Sequence, residues 1–153
     1  VALQLLYQYD QNKTVPPAMA RAFMAQRLSN PKLELFADTL YHGTRTHRAA
    51  IDAKLAAAAE NWAVERMAVV DRNILRLAVF ELLHLPDTPP KVIIDEAIEL
   101  AKRYGANESH AFVNGILDRI ANLRGAEAPL AGAEATGSAA TTSPAQGSSS
   151  SEA

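Results

Sequence analysis

From Val1 to Gln11 the polar residues Gln4, Gln8 and Gln11 form one stripe, while Leu3, Leu5, Leu6, Tyr7 and Tyr9 occupy the rest of the helical circumference. That spacing predicts a well-buried first helix. Pro16 and Pro17 suit the first turn of a short second helix reaching about Leu28, and Asn30-Pro31 reads as N-cap and first turn of a third. There Leu33, Phe36, Ala37 and Leu40 recur at i, i+3, i+4 and i+7. Gly43 with Thr44 to Thr46 marks either a break or a bend, after which Ile51, Leu55, Ala58 and Trp62 line one face of an Ala-rich helix. Residues 71 to 83, DRNILRLAVFELL, place apolar side chains in almost every direction, so this helix must be central, with neighbours on several sides.

Thr88 is the expected cap of a helix begun by Pro89 and Pro90, with Ile93, Ala97, Leu100, Ala101 and Tyr104 inward and Asp95, Glu99, Lys102 and Arg103 outward. Gly105 ends it, expected in the left-handed C′ conformation. Asn107 or Ser109 caps the last helix, whose buried stripe is Val113, Ile116, Leu117, Ile120 and Leu123. Asn114-Gly115 could turn a hairpin, but its flanks keep the 3.6 period; Gly115 is expected to admit a close helix neighbour instead. The pattern predicts an all-α protein, a compact bundle of helices.

Composition divides the 153 residues in two. Residues 125–153 hold nine Ala, six Ser, four Gly and three Thr, with no Lys, Arg or aromatic residue and Leu130 as the only large aliphatic. Such a segment cannot bury enough apolar surface to offset an ordering cost of ~1–2 kcal/mol per residue, and a disordered tail is expected. Residues 1–124 form the folded domain. The chain carries 15 basic and 17 acidic groups; without the tail's three Glu the body has 15 against 14, net +1 in place of −2. Neither value marks a strongly basic nucleic-acid binder. Val1 already stands inside the helical pattern with no initiator methionine, so a preceding segment is expected.

The absence of cysteine removes disulfides, thiolate zinc sites, iron–sulfur clusters and a cysteine nucleophile together. No apolar run approaches the ~18 residues of a membrane span and none resembles a signal peptide, so a cytoplasmic protein is expected. Glu81 and His84 make one E-x-x-H pair, half of a di-iron carboxylate site, and no second copy exists. His42 and His47, five apart, do not share a helix face. Without a phosphate loop or a nucleophile elbow, the sequence argues against an enzyme, a metal site and a cofactor.

DRNILRLAVFELL at 71–83, PPKVIIDEAIELAKRYG at 89–105 and ESHAFVNGILDRI at 108–120, with VALQLLYQYD at the start and the stretch from Trp62 to Asp71, together resemble the NusB family of bacterial transcription antitermination factors. The resemblance runs through residues 1 to about 124 in consistent order and spacing. It implies about seven helices in two small packed bundles and a non-enzymatic role. Its partners would be NusE, a small-subunit ribosomal protein, and single-stranded boxA RNA in nascent ribosomal RNA leaders, acting indirectly on the RNA polymerase antitermination complex. Some family members are homodimers, which leaves that state open here. The family's arginine-rich segment would stand before Val1, and its lack would weaken salt-dependent RNA binding. Asp95 stands where the family commonly has Asn.

Family RNA contacts come from the first helix and the start of the last, which on this chain implies Gln4, Tyr7, Lys91, Glu108, Ser109 and Phe112. An exposed aromatic ring could stack on an unpaired base, whereas a buried one is core; Phe112 and Tyr7 are balanced between these readings. Lys91 could be merely solvated, and Glu108 could simply favour the helix dipole. For NusE the expected residues are Asp71, Arg72 and Glu81. The competing reading is internal, with Asp71 as an N-cap and Arg76 as a partly buried ion-pair donor holding two helices in register. Two further classes stand beside the antitermination reading: the NusB-like N-terminal domain of a ribosomal RNA cytosine-5 methyltransferase, and a helical adaptor that binds only protein.

Overall fold

The computed structural model describes residues 1–135 except Thr14 and Asn61, and side chains as far as residue 122. Among the described residues regular structure is entirely helical: α1 (Ala2–Gln11), α2 (Pro17–Arg27), α3 (Pro31–Thr46), α4 (Arg48–Ala58), a 3-10 turn (Val64–Arg66), α5 (Val69–His84), α6 (Pro90–Tyr104) and α7 (Ser109–Ala135). None is long and apolar enough to cross a membrane.

Local chemistry accounts for several boundaries. The Asn30 side chain accepts a 2.8 Å hydrogen bond from the Lys32 N–H at the start of α3, and proline opens α2, α3 and α6 where its missing N–H has no intrahelical partner to lose. The joint between α3 and α4 is both break and bend. His47 N–H donates to the Gly43 carbonyl at 3.0 Å and Ile51 N–H donates to the His47 carbonyl at 3.0 Å, so the hydrogen-bond ladder continues while the axis turns.

The most apolar segment becomes the axis of the fold. α5 packs against α1, α3, α4, α6 and α7, and Ile74, Leu75, Leu77, Ala78, Val79, Phe80 and Leu82 are all buried. Gly43 is a helix-interior residue whose role is steric, because a Cβ there would overlap the Phe80 ring. Arg45 lies 3.9 Å over the Tyr9 ring, tying α3 to α1 by a cation–π contact.

Several local expectations are corrected. Gly105 caps α6 at φ −94° and ψ −174°, extended and not left-handed; glycine fits because a Cβ would lie 2.7 Å from Ser109 Cβ and Oγ and 2.8 Å from the Ala101 carbonyl. Gly115 faces open space, with nothing within 4 Å of a Cβ, so no helix approaches it. α4 stops at Ala58 and the chain turns, Trp62 N–H donating to the Ala59 carbonyl, which swings Trp62 out of the stripe it was expected to continue. Leu33, Phe36 and Tyr104 are exposed; Ala37, Leu40, Ala97 and Ala101 carry the inward faces.

The expected caps shift as well. Pro89, not Thr88, precedes α6 and makes no side-chain cap. At α7, the Glu108 carbonyl accepts from Phe112 N–H, and Ser109 Oγ turns back to accept from Ala106 N–H at 2.9 Å. Asp71 lies in the first turn of α5, after the N-cap Ala68. α7 continues to Ala135, across the composition boundary at 124, where the alanines favour the helix by their intrinsic propensity. The rest of the expected tail, 136–153, and the Leu123 side chain lie outside the described residues.

Candidate nucleic-acid interface

α1 is fixed to α5 by charge. Asp10 accepts from Arg72 Nε at 2.7 Å and Nη2 at 2.8 Å, from Asn73 Nδ2 at 3.0 Å and from Arg76 Nη1 at 3.2 Å. Arg76, 4% exposed, also donates to both oxygens of Asp52 on α4, at 2.8 and 3.0 Å. The internal reading of Arg76 therefore holds: one guanidinium keeps three helices in register. Burial by itself would raise the Asp10 carboxyl; the hydrogen bonds from Arg72 and Asn73 and the charges of Arg72 and Arg76 outweigh it and hold Asp10 below its ordinary value. Arg72, expected at a partner surface, is engaged with Asp10 and with the Glu65 carbonyl at 3.2 Å.

This clasp sets the angle between α1 and the start of α5, and a groove of about 370 Å³ opens beside it. Leu3, Gln4, Tyr7, Phe23, Arg27 and Tyr104 line it. Tyr7 is 42% exposed, which removes the core reading for that ring.

A second cleft, about 310 Å³, lies where α7 begins. Trp62, Arg66, Asp71, Glu108, Ser109 and Phe112 line it. Four of these, Asp71, Glu108, Ser109 and Phe112, are residues the sequence singled out separately for RNA and for protein; the fold places them together. Phe112 is half-buried against the core and meets Trp62 edge-to-face, ring centres 6.2 Å apart at 75°. Trp62 is 56% exposed, and Arg66 is exposed with no ion pair among the described residues. Asp71 is only 9% exposed, and its Oδ1 is buried without a hydrogen-bond partner. The two clefts share no lining residue; Val70 at the start of α5 lines the first and Asp71, next to it in the chain, lines the second.

Two expected residues stand elsewhere. Lys91 is exposed at the start of α6 and lines neither cleft. Glu81 lines a third hollow, between α1, α3, α5 and α6, where burial first and the neighbouring Glu96 second push its carboxyl up to about 7. The His pair that forms is His47 with His84, ring centres 4.1 Å apart, not His47 with His42. Among the described residues no three acidic, histidine or cysteine side chains cluster as metal ligands would. Sequence reasoning missed Trp62 and Arg66 as lining residues of the second cleft. The available signal was an aromatic just past the Ala-rich run, but its spacing from Ala58 continued the apolar stripe.

The NusB family profile matches residues 1–122. A transcription antitermination protein NusB from Sorangium cellulosum is 45% identical over 124 residues, covering 81% of this chain and 89% of its own length. The Myxococcus xanthus protein of the same name is 46% identical over 124 residues, covering 78% and 89%. Among solved structures, T. maritima NusB is 38% identical with TM-score 0.71, covering 79% of this chain and 85% of its own. A structure of antitermination factors NusB and NusE in complex with dsRNA matches at 26% identity and TM-score 0.72, over 80% and 91%.

Proposed function

We infer from one premise, that this chain belongs to the NusB family, how it acts. NusB proteins are transcription antitermination proteins, not enzymes, and this chain works by binding. With NusE it holds single-stranded boxA RNA of nascent ribosomal RNA leaders and so supports ribosomal RNA transcription in the cytoplasm, reaching RNA polymerase only through the assembled complex. Residues 1–124 are the RNA- and protein-binding domain. The observation that supports this reading is a pair of clefts that each include residues from the start of α5, one lined by Gln4 and Tyr7 and the other by Glu108, Ser109 and Phe112. The related NusB structure that holds NusE and RNA supports the choice of partners. The near-neutral body fits a surface that reads bases more than it neutralises phosphates.

Family relatives matched over 89% of their own length are antitermination proteins, which favours this reading over the methyltransferase domain. Fluorescence anisotropy tests it. With NusE present, boxA RNA is expected to bind more tightly than a scrambled RNA at each of two salt concentrations, and both RNAs should weaken at the higher salt. Equal affinity for the two sequences under every condition would refute sequence recognition.

A further inference from the structure

We propose that the hollow between α1, α3, α5 and α6 binds a short linear diamine or polyamine, with one ammonium group against Glu81 and Glu96 and the alkyl chain along Phe36, Leu40, Ile93 and Leu100.

Three observations carry it. The hollow measures about 170 Å³ and its lining side chains are apolar except for the two glutamates; an apolar space of comparable size holds a molecule as large as benzene. Neither carboxylate has a hydrogen bond or an ion pair among the described residues. Glu81 is half-buried, but neither of its oxygens is sealed, so both can be reached from the hollow it lines. Val1 lines the hollow as well, and the charge acting on its amino group is that of Arg27, not of either glutamate. Two like charges thus share an apolar wall without a counter-ion, and burial with their mutual repulsion pushes the Glu81 carboxyl up to about 7.

The third observation lies just outside. An open depression along α6 shares Glu96 and Leu100 with the hollow and adds Glu99, so carboxylates recur outward with Leu100 at the junction. Glu96 and Glu99 are three apart on the helix, a Cβ separation of ~5–6 Å that suits ammonium groups joined by three or four methylenes. Glu99 has only an exposed contact with Lys102 at 3.9 Å to give up. Charge and wall chemistry then select the ligand. The carboxylates repel phosphates. A divalent metal ion finds two carboxylates and no further oxygen ligand, and keeps its water instead of entering an apolar wall. An alkylammonium meets both demands, with charge-assisted hydrogen bonds at its head and apolar contact along its stem.

Isothermal titration calorimetry of the full chain at pH 8, without RNA, tests this with 1,4-diaminobutane and spermidine. Mg²⁺ supplies charge without the stem, and 1,4-butanediol the stem without charge. One molecule of either amine should bind per chain with a Kd below ~1 mM, at least ~10-fold tighter than Mg²⁺ or the diol. Binding should weaken roughly 5- to 10-fold from pH 8 to pH 6, where Glu81 takes up a proton and the amines stay charged. Glu81→Gln should weaken it at least ~10-fold at pH 8 and remove that pH dependence, and Glu96→Gln should weaken it several-fold, both variants melting no lower than the parent. No binding of either amine overturns the proposal, as does Mg²⁺ binding equally well or Glu81→Gln binding the amines like the parent. So does release of the bound amine by NusE, which would assign the hollow to a basic side chain of that protein.

Discussion

Glu81→Gln is a direct probe of how this fold handles a carboxylate at the edge of its core. In the folded protein burial, helped by Glu96, raises the Glu81 carboxyl from 4.5 to about 7. The native state therefore holds a proton that the unfolded chain has released between these values, and Glu81 lowers stability progressively as pH rises through that window. A fully buried carboxyl moved this far would lose roughly 3 kcal/mol by pH 8. Glu81 is only half-buried, and solvent screening reduces the expected loss to about 1–2 kcal/mol. Glutamine keeps the shape and removes the ionisation. Urea unfolding of parent and Glu81→Gln at pH 5 and pH 8 isolates Glu81 together with its coupling to Glu96, because titrating groups not coupled to Glu81 cancel in the difference. The variant should match the parent within ~0.5 kcal/mol at pH 5 and exceed it by about 1–2 kcal/mol at pH 8. Glu96→Gln should give a smaller gain with the same sign. An advantage of Glu81→Gln that is equal at both pH values, or absent at pH 8, would refute the assignment.

Two further experiments address the scaffold. Arg76→Ala leaves Asp52 and part of Asp10 without their buried donor and should lower unfolding free energy by about 3–5 kcal/mol in urea titrations; because Asp10 is held below its ordinary value, its contribution is present above pH ~3.8 and fades as pH falls through its lower folded value, so Asp10→Asn should flatten that part of the acid limb. Gly115→Ala should raise unfolding free energy by ~0.5–1 kcal/mol, as alanine replaces glycine in an open helical position, whereas Gly43→Ala should lower it by about 1–3 kcal/mol because the Phe80 ring must move; thermal melts ranking the two the other way would reverse both assignments.

Those two glycines also show where sequence reasoning stops. The helices were legible because their apolar period is set within each segment: Ile74 to Leu82 can only be a helix buried all round, and Asn30-Pro31 carries its cap in its own side chain. Gly43, Gly105 and Gly115 look alike on the page. Their roles depend on Phe80, on Ser109 and on empty space, each supplied by another part of the chain. Trp62 was misplaced for a related reason, since a stripe of 51, 55, 58 and 62 extrapolates smoothly past the point where the backbone turns. The candidate site was legible as separate residues, Glu108, Ser109 and Phe112 at a helix start and Asp71 in another segment; their meeting in one cleft, with Trp62 between them and solvent, exists only after α5, α6 and α7 have docked. Arg72 and Arg76 differ in the same way: both are arginines of α5, and only the positions of Asp10 and Asp52 decide how each is engaged.

The Asp10 clasp also orders events during synthesis. Its acceptor is on α1, and its donors on α5 are 62 to 66 positions later. At ~5–20 residues per second, a ribosome that has just made α1 needs about 3–13 s to deliver Arg72 and Arg76. For that interval the carboxylate keeps its water and α1 has no α5 to bury its leucines against. α1 therefore waits for α5 before the charge network can join them, and that junction comes into being only once the middle of the chain has been made.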